Sequence, residues 1–261
     1  MTLICHNAPP FEHKPRAVLF DIDNTLYPYD PTHERAMDAV ADKAKRVLGL
    51  NAGEFLKAFT HARSTIKRRL GGTAACHNRL LYMQQTLELL GLKSQLYMAL
   101  DFEQTYWRTF LSSATLFPGV KDILNALRQA GIATCAVTDL GAQIQFRKLI
   151  YFGLNECFDF VVTSEEAGAE KPASIPFELA LGKLGVTADE AFMIGDEAAT
   201  DIVGAKSAGL ATAQKNHAGV KVFADSRQPD LVFDGFPELQ RHLSGYGWID
   251  AAPKKTSAKK S

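Results

Sequence analysis

Residues 17–27 read AVLFDIDNTLY, and this segment constrains the fold more than any other part of the chain. Its apolar start predicts a buried strand, and the strand stops at two carboxylates, Asp21 and Asp23. Because residues i and i+2 of an extended chain point the same way, both acids are expected to face one small site. Two close anions repel unless a cation lies between them or one holds a proton, and Mg²⁺ is a hard cation that takes oxygen ligands. The alternative is a loop of solvated acids, with Asn24 and Thr25 as turn formers.

Two later apolar segments also end at polar side chains. Residues 132–138 end at Thr138, which Asp139 follows, and residues 190–196 end at Asp196. Ligands of open parallel α/β sheets bind beyond the carboxyl ends of the strands, so these side chains are expected to converge on the same site. Taken singly, Thr138 is also explained as a helix cap, and Asp196 as a turn or capping acid.

One basic and one further acidic residue belong to the same candidate set. Lys171 lies in EKPASIPF, just before a helix whose start is marked by prolines. Asp201 follows the last of these strand ends closely. A solvated lysine and a capping acid are the simpler explanations of the two residues. The shared position of all these residues after strands favours a single site.

The order of the predicted elements indicates the fold class. Beyond residue 131, strands alternate with helices, which predicts a parallel sheet covered by helices. The predicted strands cover 132–138, 159–163, 190–194, 210–213 and 230–234, and the predicted helices cover 141–153, 175–184 and 198–208. We therefore expect an α/β chain whose core is a doubly wound, Rossmann-like parallel sheet.

A purely helical block interrupts this pattern after the first strand. Between the proline-containing segments YPYDP and ATLFPG, apolar residues recur at helical spacing, and no strand pattern is found. The predicted helices lie near residues 36–47, 55–66, 80–90 and 96–111. The predicted division is a core of residues 1–30 and 113–248, an inserted helical domain of residues 31–112, and a disordered lysine-rich tail of residues 249–261.

Composition narrows the possible classes of function. The 261 residues have a formal net charge of zero, which provides no general attraction for nucleic acid or for an anionic membrane. No apolar stretch approaches the length of a membrane span, and the start of the chain lacks the pattern of a signal peptide. The four cysteines lie apart without a CxxC pair, which is typical of a reducing compartment. We expect a cytoplasmic protein without nucleic-acid or membrane partners.

Four pieces of the sequence, taken together, resemble the haloacid dehalogenase superfamily of aspartate-nucleophile hydrolases. They are FDIDNTLY, AVTDL, EKPASIPFELAL and IGDEAATDIVGAKSAGLAT, and the resemblance extends from about residue 16 to about residue 235. It implies the phosphatase branch, in which a helical cap inserted after the first motif closes over the site. The helical block of residues 31–112 would be that cap.

The resemblance also implies a role for each candidate residue. Asp21 would be the nucleophile that takes up the phosphoryl group, and Asp23 would be the general acid and base. Thr138 and Lys171 would hold phosphoryl oxygens. Asp196 would complete a Mg²⁺ site with Asp21 and the backbone carbonyl of Asp23. A carboxylate nucleophile splits one difficult displacement into two easier ones, and Asp23 could serve in both steps if its pKa were raised above about 3.9.

Two positions depart from the family pattern. Asp139, which would also lie against the phosphate, stands where many relatives carry asparagine or serine, so an acceptor replaces a donor. Glu197 stands where a small hydroxyl residue is common. It is either an outer neighbour of the metal site, as Asp201 would be, or an acid in the first turn of the next helix, where the helix dipole favours it. Neither change removes a group that the mechanism requires.

The sequence therefore predicts a Mg²⁺-dependent phosphatase acting through an aspartyl-phosphate on a small intracellular phosphate monoester: a nucleotide, a sugar phosphate or an organic-acid phosphate. Two alternatives stay open. A 2-haloacid dehalogenase of the same superfamily needs no metal and typically lacks the second acid, so Asp23 and Asp196 disfavour it. A non-catalytic member that keeps the fold for partner binding would have no need of Asp21 or Lys171.

Selectivity for a substrate is expected to come from the cap, because the core motifs handle only the phosphoryl group. The densest basic cluster of the cap comprises Lys67, Arg68, Arg69, His77 and Arg79. This cluster is either a solvated helix end, where cations favour the helix dipole, or a binding site for a second anionic group of the substrate.

Overall fold

A single sheet of seven strands forms the centre of the molecule. The computed structural model describes residues 3–250. The strands are β1 (Leu3–Cys5), β2 (Ala17–Phe20), β3 (Ala133–Thr138), β4 (Phe160–Thr163), β5 (Ala191–Gly195), β6 (Ala211–Lys215) and β7 (Leu231–Phe233).

The order of the strands places the end of β2 at a reversal point of the sheet. The strands lie in the order β1-β7-β6-β5-β2-β3-β4, and every pair is parallel except β1 with β7. Without β1, this is the strand order of a doubly wound Rossmann-like fold, whose binding crevice opens where the order reverses, here between β2 and β5. The predicted fold class is confirmed, and the short antiparallel β1 is an addition to the predicted strands.

The residues of β2 alternate between the two faces of the sheet. Ala17 and Leu19 belong to the apolar cluster on one face, and Val18 and Phe20 belong to the cluster on the other. All of them are fully buried. An uninterrupted apolar run is typical of a parallel strand that is covered on both faces, because every side chain is then removed from water.

Helices cover the sheet and form the inserted block. They are α1 (Pro9–Glu12), α2 (Tyr29–Leu48), α3 (Ala52–Leu70), α4 (Arg79–Leu89), α5 (Leu96–Ser113), α6 (Val120–Gln129), α7 (Ala142–Tyr151), α8 (Ser164–Ala167), α9 (Ile175–Leu184), α10 (Val203–Ser207) and α11 (Phe236–Gly245). Short 3₁₀ turns occupy Ala74–His77 and Ala188–Glu190, and a π-helical turn occupies Ala198–Ile202 directly before α10. Among residues 3–250, no helix has both the length and the apolar character needed to cross a membrane.

The helices α2 to α5 form the insertion between β2 and the rest of the core. The first of them begins at Tyr29, ahead of the predicted boundary at residue 31, because the side chain of Asn24 accepts the N–H of Tyr29 at 2.8 Å. The amphipathic pattern is satisfied within the insertion, where Phe55 of α3 and Phe102 of α5 are fully buried and pack edge to face. A helical insertion in an α/β core is thus confirmed, whereas its division into domains stays a prediction.

The end of the described chain packs against the core. Trp248 and Ile249 are 2 % and 5 % exposed, and the ring centroids of Trp248 and Phe11 lie 6.0 Å apart. The sequence pattern assigned Ile249 to the disordered tail. The structure instead places this residue with the core, because burial of its side chain favours a fixed position. The remainder of the predicted tail, from residue 251 onward, lies outside the described residues and stays a prediction.

Gly119 lies directly before α6, where the chain returns from the insertion to the core, and its replacement tests how closely the chain packs there. Gly119 has a φ of +87°, and a Cβ there would lie 2.8 Å from Cδ of Pro237, whereas Gly131 has a φ of +69° and no atom within 4 Å of its Cβ position. We expect Gly131→Ala to lower the free energy of unfolding by about 1 kcal/mol for the left-handed backbone. We expect Gly119→Ala to lower it by about 3 kcal/mol, because overpacking adds to the backbone term. Urea denaturation measures both losses, and equal values would show that the contact with Pro237 is unimportant.

Candidate active site

The carboxyl end of β2 carries a buried ion pair. Asp21 follows the strand directly, and its Oδ1 accepts a hydrogen bond of 2.7 Å from Nζ of Lys171. The same ammonium group donates to Oδ1 of Asp201 at 2.7 Å and to the carbonyl of Val137 at 3.0 Å. Lys171 is 5 % exposed. A buried ammonium is stable only with such partners, so these acceptors fix the position of the lysine side chain.

Three carboxylates meet beside this lysine. Asp21, Asp196 and Asp201 each place one oxygen within 4.8 Å of the other two. Burial raises the pKa of Asp21 to about 7 and the pKa of Asp201 to about 6, although Lys171 opposes both rises. Burial likewise raises the pKa of Asp196. One lysine does not balance three buried carboxylates, so the cluster favours a cation. Asp201, for which the sequence indicated an outer position, belongs to the cluster itself.

Thr25 links two members of the acid cluster. Its hydroxyl oxygen lies 3.0 Å from Oδ2 of Asp21 and 3.2 Å from Oδ1 of Asp196. The side chain is fully buried and has one proton, so it donates to only one carboxylate at a time. The sequence indicated Thr25 only as a turn former. The only sequence feature that could have indicated its contact with both acids is its position in the polar segment directly after β2.

Asp201 is held by the backbone around it. Its Oδ2 accepts the N–H of Glu197 at 3.0 Å, and a Cβ on Gly195 would lie 2.4 Å from its side chain. Glycine at the end of β5 is therefore what leaves room for this carboxylate. The carboxylate of Glu197 accepts the N–H of Ala199 at 3.3 Å and caps the following turn. This contact favours the helix-cap explanation of Glu197 over a place beside the metal.

Asp196 is held by residues that follow or belong to β6. Its Oδ2 lies 3.3 Å from Nε2 of His217, and its carbonyl accepts a hydrogen bond of 2.8 Å from the buried side-chain amide of Gln214. His217 partly offsets the rise in the pKa of Asp196 that burial causes. No motif in the sequence pointed to His217 or Gln214, because their contribution arises only when β6 pairs with β5.

Thr138 and Asp139 lie at the end of β3. Thr138 is 2 % exposed, and its Oγ1 accepts a hydrogen bond of 2.8 Å from Nε2 of Gln145. Oδ1 of Asp139 accepts the N–H of Lys171 at 3.1 Å, and burial raises the pKa of Asp139. Asp139 therefore positions the loop that carries Lys171, a contact that the predicted phosphate-binding role did not include.

The side chain of Asp23 is engaged away from the acid cluster. Its carboxylate accepts hydrogen bonds of 2.6 and 2.8 Å from Nζ of Lys148, and it also accepts from the hydroxyl of Tyr27 and the amide of Gln145. Burial alone would raise the pKa of Asp23, but Lys148 and the two other donors lower it below its usual value. The condition of a raised pKa, on which the double role of Asp23 depended, is therefore not met in this arrangement, because a buried cation stabilises the ionised carboxylate.

Lys148 on α7 is a candidate that no sequence motif indicated. It is fully buried, and its ammonium lies 5.6–5.8 Å from the ring centroids of Tyr27, Trp107 and Phe110. Trp107 and Phe110 belong to α5, so this cation contacts both the core and the insertion. One feature could have indicated Lys148: it lies three residues after Gln145, on the buried face of α7. A lysine on a buried helix face requires a partner of opposite charge.

A cavity of about 210 Å³ separates the acidic groups from the inserted helices. Its core side contains the acid cluster, Asp23 and Lys171, and its helical side contains a group that we name the basic wall: Arg63, Lys67, His77 and Arg79. Arg68 and Arg69 are exposed and lie outside this lining, because they occupy other faces of α3. Arg63 was not in the predicted basic cluster, although its spacing of four from Lys67 places both on one helix face.

Most of the chain matches a known protein family. A family model described as haloacid dehalogenase-like hydrolase matches residues 15–209. The match includes every residue of the acid cluster, Lys148, Lys171 and the inserted helices. The chain belongs to this family of hydrolases.

Similar proteins of the family include phosphatases. The hydrolase is 40% identical over 197 residues to the ribulose-1,5-bisphosphate 5-phosphatase of Halopiger xanaduensis, covering 75% of this chain and 82% of the relative. It is 33% identical over 227 residues to the glyceraldehyde 3-phosphate phosphatase of Methanopyrus kandleri, covering 86% of this chain and 95% of the relative. The crystal structure of a HAD phosphatase from Thermococcus onnurineus is 27% identical with a TM-score of 0.66, covering 88% of this chain and 98% of that one. The hydrolase is therefore a phosphoric monoester hydrolase, which removes the ground for a non-catalytic member.

Replacement of Lys148 tests whether this residue holds Asp23. Lys148→Met keeps an unbranched side chain only one atom shorter but leaves the Asp23 carboxylate without its cation. We expect the free energy of unfolding to fall by about 3 kcal/mol, the lower end for one unpaired partner of a buried ion pair, because the Asp23 side chain retains 22% exposure. Asp23→Asn in the Lys148→Met background should recover much of this loss in a double-mutant cycle followed by urea denaturation. Simply additive losses would contradict the pairing.

Proposed function

We propose that this protein is a Mg²⁺-dependent phosphatase that hydrolyses a small phosphate monoester through an aspartyl-phosphate on Asp21. The observation that carries the proposal is the 2.7 Å contact between Asp21 and Lys171 beside an acid cluster whose oxygens lie within 4.8 Å of one another. Displacement at a phosphate by a carboxylate needs a nucleophile, a fixed cation and a metal site in one place. The phosphatase relatives support the same reaction.

The donor set of the acid cluster fits Mg²⁺. Asp21 and Asp196 offer carboxylate oxygens, and we add the backbone carbonyl of Asp23 as a further ligand. The three acids of the cluster are buried with raised pKa values, so a divalent cation would relieve their mutual repulsion. Mg²⁺ prefers oxygen ligands of this kind. When bound, it would neutralise charge on the phosphoryl group and act as a Lewis acid.

The neighbours of Asp21 prepare it for attack on phosphorus. Lys171 and Thr25 hold its two oxygens at 2.7 and 3.0 Å, which fixes the orientation of the carboxylate. Lys171 also carries positive charge to the place where the phosphoryl oxygens arrive. The hydroxyl of Thr138 donates only a long hydrogen bond of 3.4 Å to the carbonyl of Asp139. It is therefore available as a second donor for these oxygens. Donors that are fixed before the reaction stabilise the charge of the transition state.

Asp23 is the proton-transfer group of this proposal. In the arrangement held by Lys148, its pKa is lowered and the carboxylate is ionised. The ionised form accepts a proton from the water that hydrolyses the aspartyl-phosphate. The earlier donation of a proton to the leaving oxygen requires the protonated form, which Lys148 disfavours in this arrangement. Lys148 therefore sets which half-reaction Asp23 is ready for.

The basic wall supports a phosphorylated sugar that carries a second anionic group, a phosphate above all. Burial lowers the pKa of Lys67, and repulsion from Arg63 and Arg79 adds to this effect. Such mutual repulsion is relieved by an anion. Within the described residues, the buried Nε of Arg79 has no hydrogen-bond partner. The similarity to a protein named for a bisphosphate substrate supports the same choice.

We also place the enzyme in the cytoplasm, acting on a free small molecule without nucleic-acid or membrane partners. All four cysteines are free thiols, as a reducing compartment favours. The formal net charge of zero provides no general attraction for a polyanion.

Replacement of the proposed nucleophile tests the mechanism. Asp21→Asn keeps the size of the side chain but removes the nucleophile, so we expect hydrolysis of p-nitrophenyl phosphate to fall by at least about 1000-fold. The exposed Asp42→Asn is the matched control and should keep wild-type activity. Removal of divalent cations with EDTA should abolish the activity of wild type, and Mg²⁺ should restore it. Full activity after EDTA treatment, or a tenth of wild-type activity in Asp21→Asn, would refute the proposal.

Replacement of the basic wall tests the proposed substrate. Arg63→Ala with Lys67→Ala should lower kcat/KM for a sugar bisphosphate by about 100-fold, since each charged hydrogen bond contributes about 1.5 kcal/mol. The same double variant should change kcat/KM for p-nitrophenyl phosphate by less than about threefold, because that substrate has no second anionic group. Arg68→Ala with Arg69→Ala removes equal charge from the exposed side of α3 and is the matched control. Equal losses of kcat/KM for both substrates would show that the basic wall does not bind a second anionic group.

A further inference from the structure

A second group of metal-ligating side chains lies where the inserted helices meet the core. Cys76 and His77 belong to the 3₁₀ turn Ala74–His77, which connects α3 with α4. Glu170 lies in the core loop that carries Lys171. We call the contact between this turn and this loop the seam. It is separate from the acid cluster, and none of its side chains is needed for the proposed displacement at phosphorus.

The distances in the seam match those of a zinc site. Sγ of Cys76 lies 3.3 and 3.5 Å from the two carboxylate oxygens of Glu170, and Nε2 of His77 lies 2.9 Å from Oε1 of Glu170. One ligand atom of each residue lies within 4.8 Å of the other two. In a tetrahedral zinc site with Zn–S of about 2.3 Å and Zn–O of about 2.0 Å, the sulfur and oxygen are about 3.5 Å apart. The three side chains therefore need only small shifts to accept the ion.

The chemistry of these ligands differs from that of the acid cluster. A thiolate and an imidazole select a softer cation than carboxylate oxygens do, so Zn²⁺ is favoured over Mg²⁺ in the seam. Cys76 is 4% exposed, while the side chains of His77 and Glu170 are 21% and 14% exposed. The fourth position of a tetrahedral ion is thereby left to water.

We propose that Cys76, His77 and Glu170 form a binding site for a thiophilic divalent cation, Zn²⁺ in the first place, which ties the inserted helices to the core and inhibits the phosphatase. His77 also lines the catalytic cavity, and Glu170 directly precedes Lys171. Bonds from one ion to both sides of the seam restrain the separation of the turn from the loop, and with it the exchange of substrate and product. This site goes beyond the proposed function and does not depend on which phosphate ester is hydrolysed.

Zinc binding is tested directly by titration calorimetry with ZnCl₂ at a saturating, constant Mg²⁺ concentration. Wild type should bind one equivalent of Zn²⁺ that Cys76→Ser binds about 100-fold more weakly or not at all. Cys157→Ser is the matched control, because Cys157 is a free, half-buried cysteine outside the seam, and it should keep that equivalent. Zn²⁺ binding that is unchanged in Cys76→Ser would overturn the site.

A second variant covers the case in which Cys76→Ser fails to fold. Glu170→Gln changes a partly exposed side chain and removes one carboxylate ligand, so it should also weaken the same equivalent of Zn²⁺ by about tenfold or more. Zn²⁺ should raise the midpoint temperature of thermal unfolding of wild type and should not raise that of the seam variants. Equal binding and equal stabilisation of Glu170→Gln and wild type would overturn the site as well.

Activity measurements separate the seam from the acid cluster. Zn²⁺ should inhibit wild type in a way that added Mg²⁺ does not reverse, and Cys76→Ser should retain its basal activity without this inhibition. Inhibition that persists in Cys76→Ser and is reversed by Mg²⁺ would place Zn²⁺ in the acid cluster and refute the inhibitory site. The calorimetric result stands apart from catalysis, so failure of the proposed function and failure of the seam site are distinguishable.

Discussion

Lys171 donates hydrogen bonds of 2.7 Å to both Asp21 and Asp201 in a place that is almost closed to solvent. Ions removed from water are stable only when their partners are held close. The end of β2, the turn after β5 and the loop before α9 must therefore meet for any one of these groups to be tolerated. The parallel sheet provides this meeting point at its reversal of strand order. Three carboxylates around one lysine also leave negative charge, which is why the site favours a cation.

Two aspartates two residues apart have opposite electrostatic surroundings. Asp21 has a raised pKa, mainly from burial, whereas Asp23 has a lowered pKa because Lys148 and its neighbours outweigh burial. Environments that shift the pKa values of two carboxyl groups in opposite directions commonly give the two groups different chemical roles. A cation in the acid cluster would oppose the rise in the pKa of Asp21 that burial causes, and so favour the ionised carboxylate that the proposed attack requires. Lys148 meanwhile links the state of Asp23 to the packing of α5, and so to the inserted helices.

The inserted helices contribute two surfaces near the site, which differ in chemistry and share His77. The basic wall on α3 and its neighbours faces the cavity, where its charges would complement the second anionic group of the proposed substrate. The seam cluster of Cys76, His77 and Glu170 joins the insertion to the core with ligands of a different type. We propose the first surface for selection of the substrate and the second for control of the same enzyme by a soft cation.

The sequence by itself determined the α/β class, the helical insertion and the position of most acids, because apolar runs reveal strands and polar residues directly after them lie at one edge of a parallel sheet. It did not determine the direction of the Asp23 side chain, whose partner Lys148 lies 125 positions away along the chain. Nor did it separate Arg63 and Lys67 from Arg68 and Arg69, since only the packing of α3 decides which face meets the cavity. Local patterns depend on neighbouring residues, whereas a buried charge takes its pKa and its partner from whatever the tertiary structure packs against it.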